Sequence, residues 1–187
     1  MKKIIAIIAL AFATFTVANA QVGIVGGYTS SSVNASQAVQ DAQRASVWHA
    51  GLAFKAELGP LFAIQPSITY SVKGTTVNNL QYKSGYAEAS LGLQLGFDFA
   101  VVRPFAVFEP FVGYQVTGNE QTTNDVTNKL EYGFAVGAGC DILEHLQLRV
   151  QWFKNLGSLQ QANATAVQGA ISEGNYQGIK VTLGLFF

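Results

Sequence analysis

The side chains best suited to acid–base or nucleophilic chemistry in this sequence are two histidines and one cysteine. A lipid-hydrolysing site would combine a histidine with a serine and an acidic group. Residue alternation places His49 on an inward face near Lys55 and Glu57, but Gly51 occupies the position where such a site has its serine. His145 falls in a short turn, where a solvated histidine is expected. The sequence therefore predicts no catalytic residue and no enzymatic activity.

The cysteine and histidines also give no sign of a metal or redox site. A single cysteine, Cys140, excludes an internal disulfide and a cysteine-based zinc cluster. Its place on an apolar strand face predicts an unreactive thiol. The sequence contains no phosphate-binding glycine loop, no His-x-x-x-His pair and no calcium loop. We therefore expect neither a cofactor nor a bound metal.

The composition differs from that of an ordinary cytosolic enzyme. The 187 residues are 49% hydrophobic and only 12% charged, with a mean hydropathy of +0.25. Eleven basic residues balance eleven acidic ones, so the sequence lacks the basic surface that nucleic-acid binding requires. The length fits a single domain.

The N-terminal segment, residues 1–20, predicts a secretory signal peptide. Lys2 and Lys3 precede an apolar stretch from Ile4 to Val17, and Ala18-Asn19-Ala20 is a small-x-small cleavage site. The mature domain is then expected to span residues 21–187. An uncleaved anchor helix is the alternative, but the apolar stretch is short for a membrane span.

Beyond this segment, hydrophobicity alternates with a period of two residues, which is typical of strands with two different faces. Near the C-terminus, every second residue from Ile179 to Phe187 is large and apolar, whereas most residues between them are small or polar. The same pattern predicts eight strands in all. They lie near Val22–Tyr28, Trp48–Leu58, Phe62–Val72, Tyr86–Phe97, Ala106–Val116, Leu130–Ile142, Leu146–Phe153 and Gly178–Phe187.

Long polar connections alternate with short ones, so the two kinds must lie at opposite rims of an up-and-down sheet. The long connections are predicted at Ser30–Ala45, Gly74–Lys83, Gly118–Asn128 and Gly157–Glu173. The short turns are predicted at Gly59-Pro60, Ala100–Pro104 and Leu143–His145. Polar, nearly uncharged loops suit either display to a partner or passive surface coils.

Two kinds of barrel could produce this alternation. A secreted ligand-binding barrel of the lipocalin kind would point its large apolar side chains inward. Here glycines share one face with the charged residues, as expected where a narrow lumen crowds inward side chains. Aliphatic residues outside and small or charged residues inside indicate a barrel that faces lipid. The predicted fold is an all-β, eight-stranded antiparallel up-and-down transmembrane barrel.

The predicted lumen contains four basic and six acidic residues. Paired carboxylates could suggest glycoside chemistry, but unpaired charges are costly in a low-dielectric interior, which favours a structural salt-bridge network. An eight-stranded interior is only wide enough for side chains to fill, so a plugged lumen is expected. The predicted network consists of Lys55, Glu57, Lys73, Glu88, Asp98, Glu109, Glu131, Asp141, Arg149 and Lys180.

Aromatic residues predict the depth of the barrel in the membrane. One outward-facing set lies toward the long-loop end of each strand and predicts an aromatic girdle. A second set at the short-turn end predicts an opposite belt. The girdle consists of Tyr28, Trp48, Tyr70, Tyr114, Tyr132 and Trp152, and the belt of Phe62, Phe97, Phe99 and Phe187.

The run Tyr132–Asp141, followed by a short turn, Leu146–Trp152 and a closing strand ending in Phe187, resembles the PorT-type outer-membrane β-barrel family. The small adhesion and invasion barrels of the outer-membrane protein X type are similar in size and strand count. Tyr86-Ala87-Glu88-Ala89-Ser90 resembles the Tyr-x-Glu-x-Pro strand of the PorT type, with serine in place of the usual proline. These motifs are architectural and identify a location rather than an activity.

The resemblance implies a location in the outer membrane of a Gram-negative bacterium. It also implies that the barrel-insertion machinery recognises the last strand, which ends at Phe187. The expected partners are outer-membrane lipids, this machinery and an extracellular or envelope protein that contacts the loops, without nucleic acid. A monomer is expected because a closed barrel satisfies its own backbone. The expected role is structural or surface-interactive, the alternative is a narrow solute channel, and a lipid-modifying enzyme is the least supported.

Overall fold

Eight antiparallel strands form a closed barrel in the computed structural model, which describes residues 20–33, 43–77, 80–118, 130–158 and 176–187. Each strand pairs with its neighbours along the chain, and β8 pairs with β1. The predicted fold is therefore confirmed. The strands are β1 (Ala20–Val33), β2 (Gln43–Glu57), β3 (Phe62–Val77), β4 (Leu80–Gly96), β5 (Val102–Gly118), β6 (Leu130–Ile142), β7 (Leu146–Ser158) and β8 (Tyr176–Phe186).

The predicted signal peptide lies outside the described residues, apart from Ala20, which begins β1. A helix apolar and long enough to cross a membrane is not found in the described part of the chain.

The strands alternate between an exposed apolar face and a buried face. On β1 and β2, Ile24 and Leu52 are each 60% exposed, whereas their neighbours Val25 and Ala53 are 1% and 3% exposed. Val25 and Ala53 pack with Phe186 on the inner face. An exterior made of such exposed apolar side chains would cause protein molecules to associate in water, but it suits contact with the hydrocarbon core of a membrane.

The first four strands are longer than predicted. The stretch Gly74–Lys83, expected to be a long loop, continues the β3–β4 hairpin, with Gly74 paired to Lys83 and Val77 to Leu80. This stretch contains β-branched residues and a tyrosine, which favour strands even where the sequence is polar. β1 and β2 also extend into the predicted loop Ser30–Ala45. Most of the other two predicted long loops falls in residues 119–129 and 159–175, which are outside the described part.

The short turns lie where they were predicted, with one difference. The turn expected at Ala100–Pro104 ends earlier, because β5 begins at Val102 and Pro104 pairs with Cys140 of β6. The carbonyl of Pro104 accepts a hydrogen bond from the Phe97 amide at 3.1 Å. Proline is tolerated near the start of a strand, so its ring does not end the pairing. This shift places Arg103 on the inner face.

Candidate functional site

The inner face of the barrel contains two clusters of ion pairs. The lower cluster, near the short turns, consists of Lys55, Glu57, Arg103 and Asp141. The upper cluster, toward the long loops, consists of Lys73, Glu88, Glu109, Glu131, Arg149 and Lys180. In outer-membrane barrels the short turns face the periplasm and the long loops face outward.

Asp141 is the centre of the lower cluster. Its Oδ2 atom lies 2.8 Å from Lys55 Nζ and 3.1 Å from Arg103 Nη1. Its Oδ1 atom accepts a hydrogen bond from Gln147 Nε2 at 2.8 Å. Lys55 Nζ also lies 2.9 Å from Glu57 Oε1. Both carboxylate oxygens of Asp141 are therefore satisfied, and residues from β2, β5, β6 and β7 are joined at one level.

A set of buried amides lies next to this cluster. Gln65 Oε1 accepts hydrogen bonds from Gln94 Nε2 at 2.7 Å and from Gln147 Nε2 at 3.0 Å. Arg103 Nη1 donates to Gln94 Oε1 at 3.2 Å. Gln65 and Gln94 are not among the predicted network residues, although both share a strand face with other inward residues. They extend the polar contacts across β3, β4 and β7.

Glu109 is the central acceptor of the upper cluster. Its Oε2 atom lies 2.7 Å from Arg149 Nη1 and 3.3 Å from Gln151 Nε2, and its Oε1 atom lies 3.0 Å from Lys180 Nζ. Lys180 Nζ is also 3.8 Å from Glu88 Oε1. Glu109 is 1% exposed, so these contacts replace its hydration almost completely.

Lys73 connects the remaining two acids of the upper cluster. Its ammonium group lies 3.0 Å from Glu88 Oε2 and contacts Glu131 Oε1. The other oxygen of Glu131 accepts a hydrogen bond from Asn155 Nδ2 at 2.6 Å. Lys73 and Glu131 are 2% and 1% exposed, which places this ion pair fully inside the barrel.

The structure changes the predicted membership of the network in two places. Arg103, which the sequence analysis assigned to a turn, is 6% exposed and pairs with Asp141. Its alternation with Phe105 and Val107 on β5 could have placed it inside. Asp98, expected inside, is exposed in the turn between β4 and β5. The ion pairs of the described barrel therefore join five cations to five carboxylates, rather than four to six.

His49 lies inside, as alternation predicted, but its expected neighbours were wrong. Its Nδ1 atom is 3.0 Å from Thr29 Oγ1 and its Nε2 atom is 2.9 Å from Thr182 Oγ1. Lys55 and Glu57 belong instead to the lower cluster. Both ring nitrogens of His49 are therefore occupied by hydroxyl groups, and the ring is 3% exposed.

The other two candidate reactive residues lie at the barrel surface. His145 is exposed, and its Nδ1 atom is 2.6 Å from the Leu143 carbonyl of the same turn. Cys140 is partly exposed on the outer face, where it pairs with Leu148. Within the described ranges, the histidine, cysteine and acidic residues form no group of three suited to a metal ion.

The six aromatic residues assigned to the girdle lie on the outer face. Tyr28 and Trp48 are directly paired across β1 and β2, and the rings of Trp48 and Tyr70 are 5.5 Å apart. Tyr70 is aligned with Tyr114 through Ala87 of β4. Exposed fractions are 56% for Tyr28, 53% for Trp48, 51% for Tyr114, 42% for Tyr132 and 41% for Trp152, and Tyr70 is partly exposed.

The four phenylalanines of the opposite belt are also exposed, near the short turns. Their exposed fractions are 56% for Phe62, 60% for Phe97, 63% for Phe99 and 69% for Phe187.

Two small cavities adjoin the clusters in the described part of the barrel. A cavity of about 10 Å³ adjoins Lys73, Glu88 and Lys180 in the upper cluster. Another of about 20 Å³ lies beside Lys55 and Arg103 at the short-turn end. Volumes of this order hold a single water molecule.

The model of the outer membrane protein beta-barrel domain family matches residues 4–187. No curated protein matches the chain. Among solved structures, the chain is similar to Ail, the attachment invasion locus protein of Yersinia pestis, crystallised in complex with the heparin analogue sucrose octasulfate. The two share 12% sequence identity with a TM-score of 0.47, over 90% of this chain and 99% of that one. The chain belongs to the outer membrane protein beta-barrel domain family and is located in the outer membrane of a Gram-negative bacterium.

Proposed function

We propose that this barrel is a closed scaffold of the PorT type that stabilises the envelope and displays its long loops to an extracellular or envelope partner. The observation that carries this proposal is the charge balance of the lumen. Five cations and five carboxylates of the described residues are paired with one another on the inner face, and all of them except Glu57 are buried. No lumen charge in these pairs depends on a solute as its partner.

The energetics of buried ion pairs support a closed resting state. Removing one partner of a buried pair leaves an uncompensated charge, which costs about 3 to 5 kcal/mol. A solute crossing at the level of Glu109 would have to separate it from Arg149, Lys180 or both. An eight-stranded interior is only wide enough for side chains to fill. A solute therefore has no second route past Glu109 that would leave these ion pairs intact.

The length of the β3–β4 hairpin supports the proposed display of loops to a partner. β3 continues from Tyr70, at the level of the girdle, to Val77, where it pairs with Leu80. At a rise of about 3.3 Å per residue, this hairpin extends roughly 20 Å beyond the girdle along the strand direction. A rigid sheet of this length can hold loop residues away from the membrane surface, where partners bind.

Planar bilayer recordings test the closed lumen. The predicted mature domain, residues 21–187, is refolded and its folding checked by heat-dependent gel mobility before conductance is measured. We expect a silent wild type and discrete openings in Glu109→Ala, which removes the shared partner of Arg149 and Lys180. Val150→Ala is the control, because Val150 is on the outer face. Reproducible wild-type channels would contradict the closed scaffold.

We propose a narrow channel for small solutes as the second candidate, because unpartnered polar atoms follow the inner face of β7. Gln147 Oε1, Arg149 Nε, Gln151 Oε1 and Asn155 Oδ1 are buried without a hydrogen-bond partner in the described protein. Buried polar atoms of this kind are usually satisfied by water. Water molecules bound at these atoms along β7 would form a continuous path for a solute if the Glu109 side chain moved away from Arg149 and Lys180. Wild-type conductance would favour this candidate over the first.

We propose no enzymatic activity. The ring of His49 is held between the hydroxyl groups of Thr29 and Thr182, and within the described part of the chain its hydrogen-bond partners include no carboxylate. We therefore expect His49→Ala to leave the lipid composition of the outer membrane unchanged. Altered acylation or phospholipid content, measured by mass spectrometry, would restore the enzyme hypothesis.

A further inference from the structure

Three aromatic rings surround the ammonium group of Lys73. Its Nζ atom lies 4.4 Å from the ring centroid of Phe111, 5.3 Å from that of Tyr86 and 5.6 Å from that of Phe153. Each distance is within the range of about 6 Å in which a cation is attracted to a ring face. Since the rings come from β4, β5 and β7, the barrel assembles this arrangement from strands far apart in sequence.

Two carboxylates complete the surroundings of Lys73. Glu88 and Glu131 contact the same ammonium group and are 3% and 1% exposed. We call the five residues Tyr86, Phe111, Phe153, Glu88 and Glu131 the ammonium cage. Aromatic cages are a means by which proteins recognise quaternary ammonium ligands, and here two carboxylates add the opposite charge.

The aromatic rings around Lys73 are not needed to form its salt bridges. Lys55 and Lys180 are also buried and paired with two carboxylates each. Among the described residues, cation–ring contacts are found for Lys73 and Arg103, but not for these two lysines. The ring contacts therefore distinguish the site of Lys73 from the ordinary ion pairs of the lumen.

The position of the cage suits a ligand that arrives from the loop side. Glu88 is next to Ala87, which is aligned with Tyr70 and Tyr114 of the girdle. Glu131 follows Leu130, which pairs with Tyr114. The cavity of about 10 Å³ in the upper cluster is lined by Lys73, Glu88, Phe111 and Phe153 among others. The cage is therefore toward the loop end of the lumen, next to a cavity with room for one water molecule, so a larger ligand fits only where the Lys73 ammonium group has withdrawn.

The pairing of β2 with β3 is irregular opposite Lys73, whereas Lys73 itself stays paired with Ser84 of β4. The β2–β3 register shifts between the pairs Arg44–Thr75 and His49–Ser71, so β2 has four residues where β3 has three, including Lys73. The extra residue lies in β2, and a bulge of this kind locally interrupts the β2–β3 ladder. The long flexible stem of Lys73 lets its ammonium group withdraw while the β3–β4 pairing of its backbone is kept.

We propose that the ammonium cage is a binding site for a small organic ammonium ion entering from the loop side, and that Lys73 is its tethered occupant. Ligand binding exchanges one ammonium group for another, so the charge balance of the cage is preserved while Lys73 withdraws. The site is independent of whether the barrel conducts, and it goes beyond the scaffold role proposed above.

The experiment uses Lys73→Ala, which removes the occupant and keeps the cage. The refolded variant is titrated with n-propylammonium chloride, and binding is followed by calorimetry and by the NMR signals of the aromatic rings. We expect saturable binding at least tenfold tighter than that of n-propanol, which has the same shape without the charge, and no equivalent effect of sodium chloride. Equal binding of n-propanol and n-propylammonium would overturn the proposal.

Lys55→Ala is the matched control, because it removes a buried lysine that also contacts two carboxylates but lacks the rings. It should bind n-propylammonium at least tenfold more weakly than Lys73→Ala does. Wild-type protein should respond only at much higher concentration, since tethered Lys73 competes at a high effective concentration. Equally strong binding by Lys55→Ala, or no wild-type response up to the solubility limit, would contradict the proposal.

Folding of Lys73→Ala itself provides a second readout. If the variant fails to fold in plain buffer, n-propylammonium in the refolding buffer should restore the heat-modifiable band, and n-propanol should not. Absence of rescue would overturn the proposal. A double variant then combines Lys73→Ala with Glu131→Gln and keeps Glu88 in the cage. It should fold and bind n-propylammonium. A folded double variant without binding would also contradict the proposal.

Discussion

Arg103 of β5 and Asp141 of β6 are directly paired across the two strands, and their side chains meet at 3.1 Å at the short-turn end of the lumen. Lys55 contacts the same carboxylate oxygen at 2.8 Å. This cross-strand pair adds a fifth cation to the lumen and makes the charges of its ion pairs equal in number. The ion pairs of the lumen therefore join charged side chains from different strands and have equal numbers of positive and negative partners.

Arg149→Ala should strongly destabilise the barrel. It leaves Glu109, which is 1% exposed, with Lys180 as its remaining cationic contact. We expect a loss of about 3 kcal/mol in the free energy of unfolding, as for other broken buried pairs, measured by reversible urea unfolding in lipid vesicles. Combining it with Glu109→Ala should cost less than the sum of the two single changes. Strict additivity would show that the two residues do not interact.

Val150→Arg tests the lipid-facing side of β7. Val150 is 49% exposed and pairs with Val181 and Ala138 in the middle of the wall. A charge at mid-bilayer should cost about 2 to 4 kcal/mol of folding free energy, compared with about 0 to 1 kcal/mol near the interface. Leu130→Arg, at the level of the girdle, is the matched control. Equal losses for the two variants would mean that the assigned depth is wrong.

Deletion of Phe187 should reduce the amount of folded protein in the outer membrane. The Phe187 amide donates a hydrogen bond of 2.9 Å to the Val22 carbonyl at the β8–β1 closure, and the insertion machinery is predicted to recognise this strand. The measurement is heat-dependent gel mobility of isolated outer membranes. If recognition is what is lost, the same deletion should still fold in detergent. Normal levels in the membrane would contradict the prediction.

Gly137→Ala should disrupt the inner face of β6. A methyl group added there would lie 2.1 Å from the Val150 carbonyl oxygen and 2.6 Å from the Gln151 Cα atom, so backbone would have to move. We expect a loss of about 1 to 3 kcal/mol in stability, typical of overpacking. Gly92→Ala is the control, because its nearest contact would be 3.3 Å. Urea unfolding of both variants should rank Gly137→Ala as the less stable.

The period-two pattern predicted all eight strands because each strand has one lipid face and one lumen face. Strand ends were predicted less well, since polarity at Gly74–Lys83 indicated a loop although Val77 and Leu80 close a hairpin. Arg103 was missed because the predicted turn Ala100–Pro104 included it. The alternation of β5 in fact continues through Pro104, since proline is tolerated near the start of a strand.

The partners within the lumen were not predictable in the same way. Alternation places Lys73 and Glu131 inside, but they are 58 residues apart in sequence, and their contact depends on the stagger of several intervening strands. The aromatic rings around Lys73 have the same origin, because Phe111 and Phe153 come from different hairpins. Sequence alternation therefore gives the face of a residue and leaves its neighbours undetermined.

The paired charges of the lumen also determine how the barrel responds to voltage. Both clusters are electrically neutral, with two cations and two carboxylates below and three of each above. An electric field does work of about 2.3 kcal/mol per 100 mV on each net charge that crosses it. A neutral cluster that moves as a unit carries no gating charge, so a potential across the outer membrane exerts almost no net force on these two clusters.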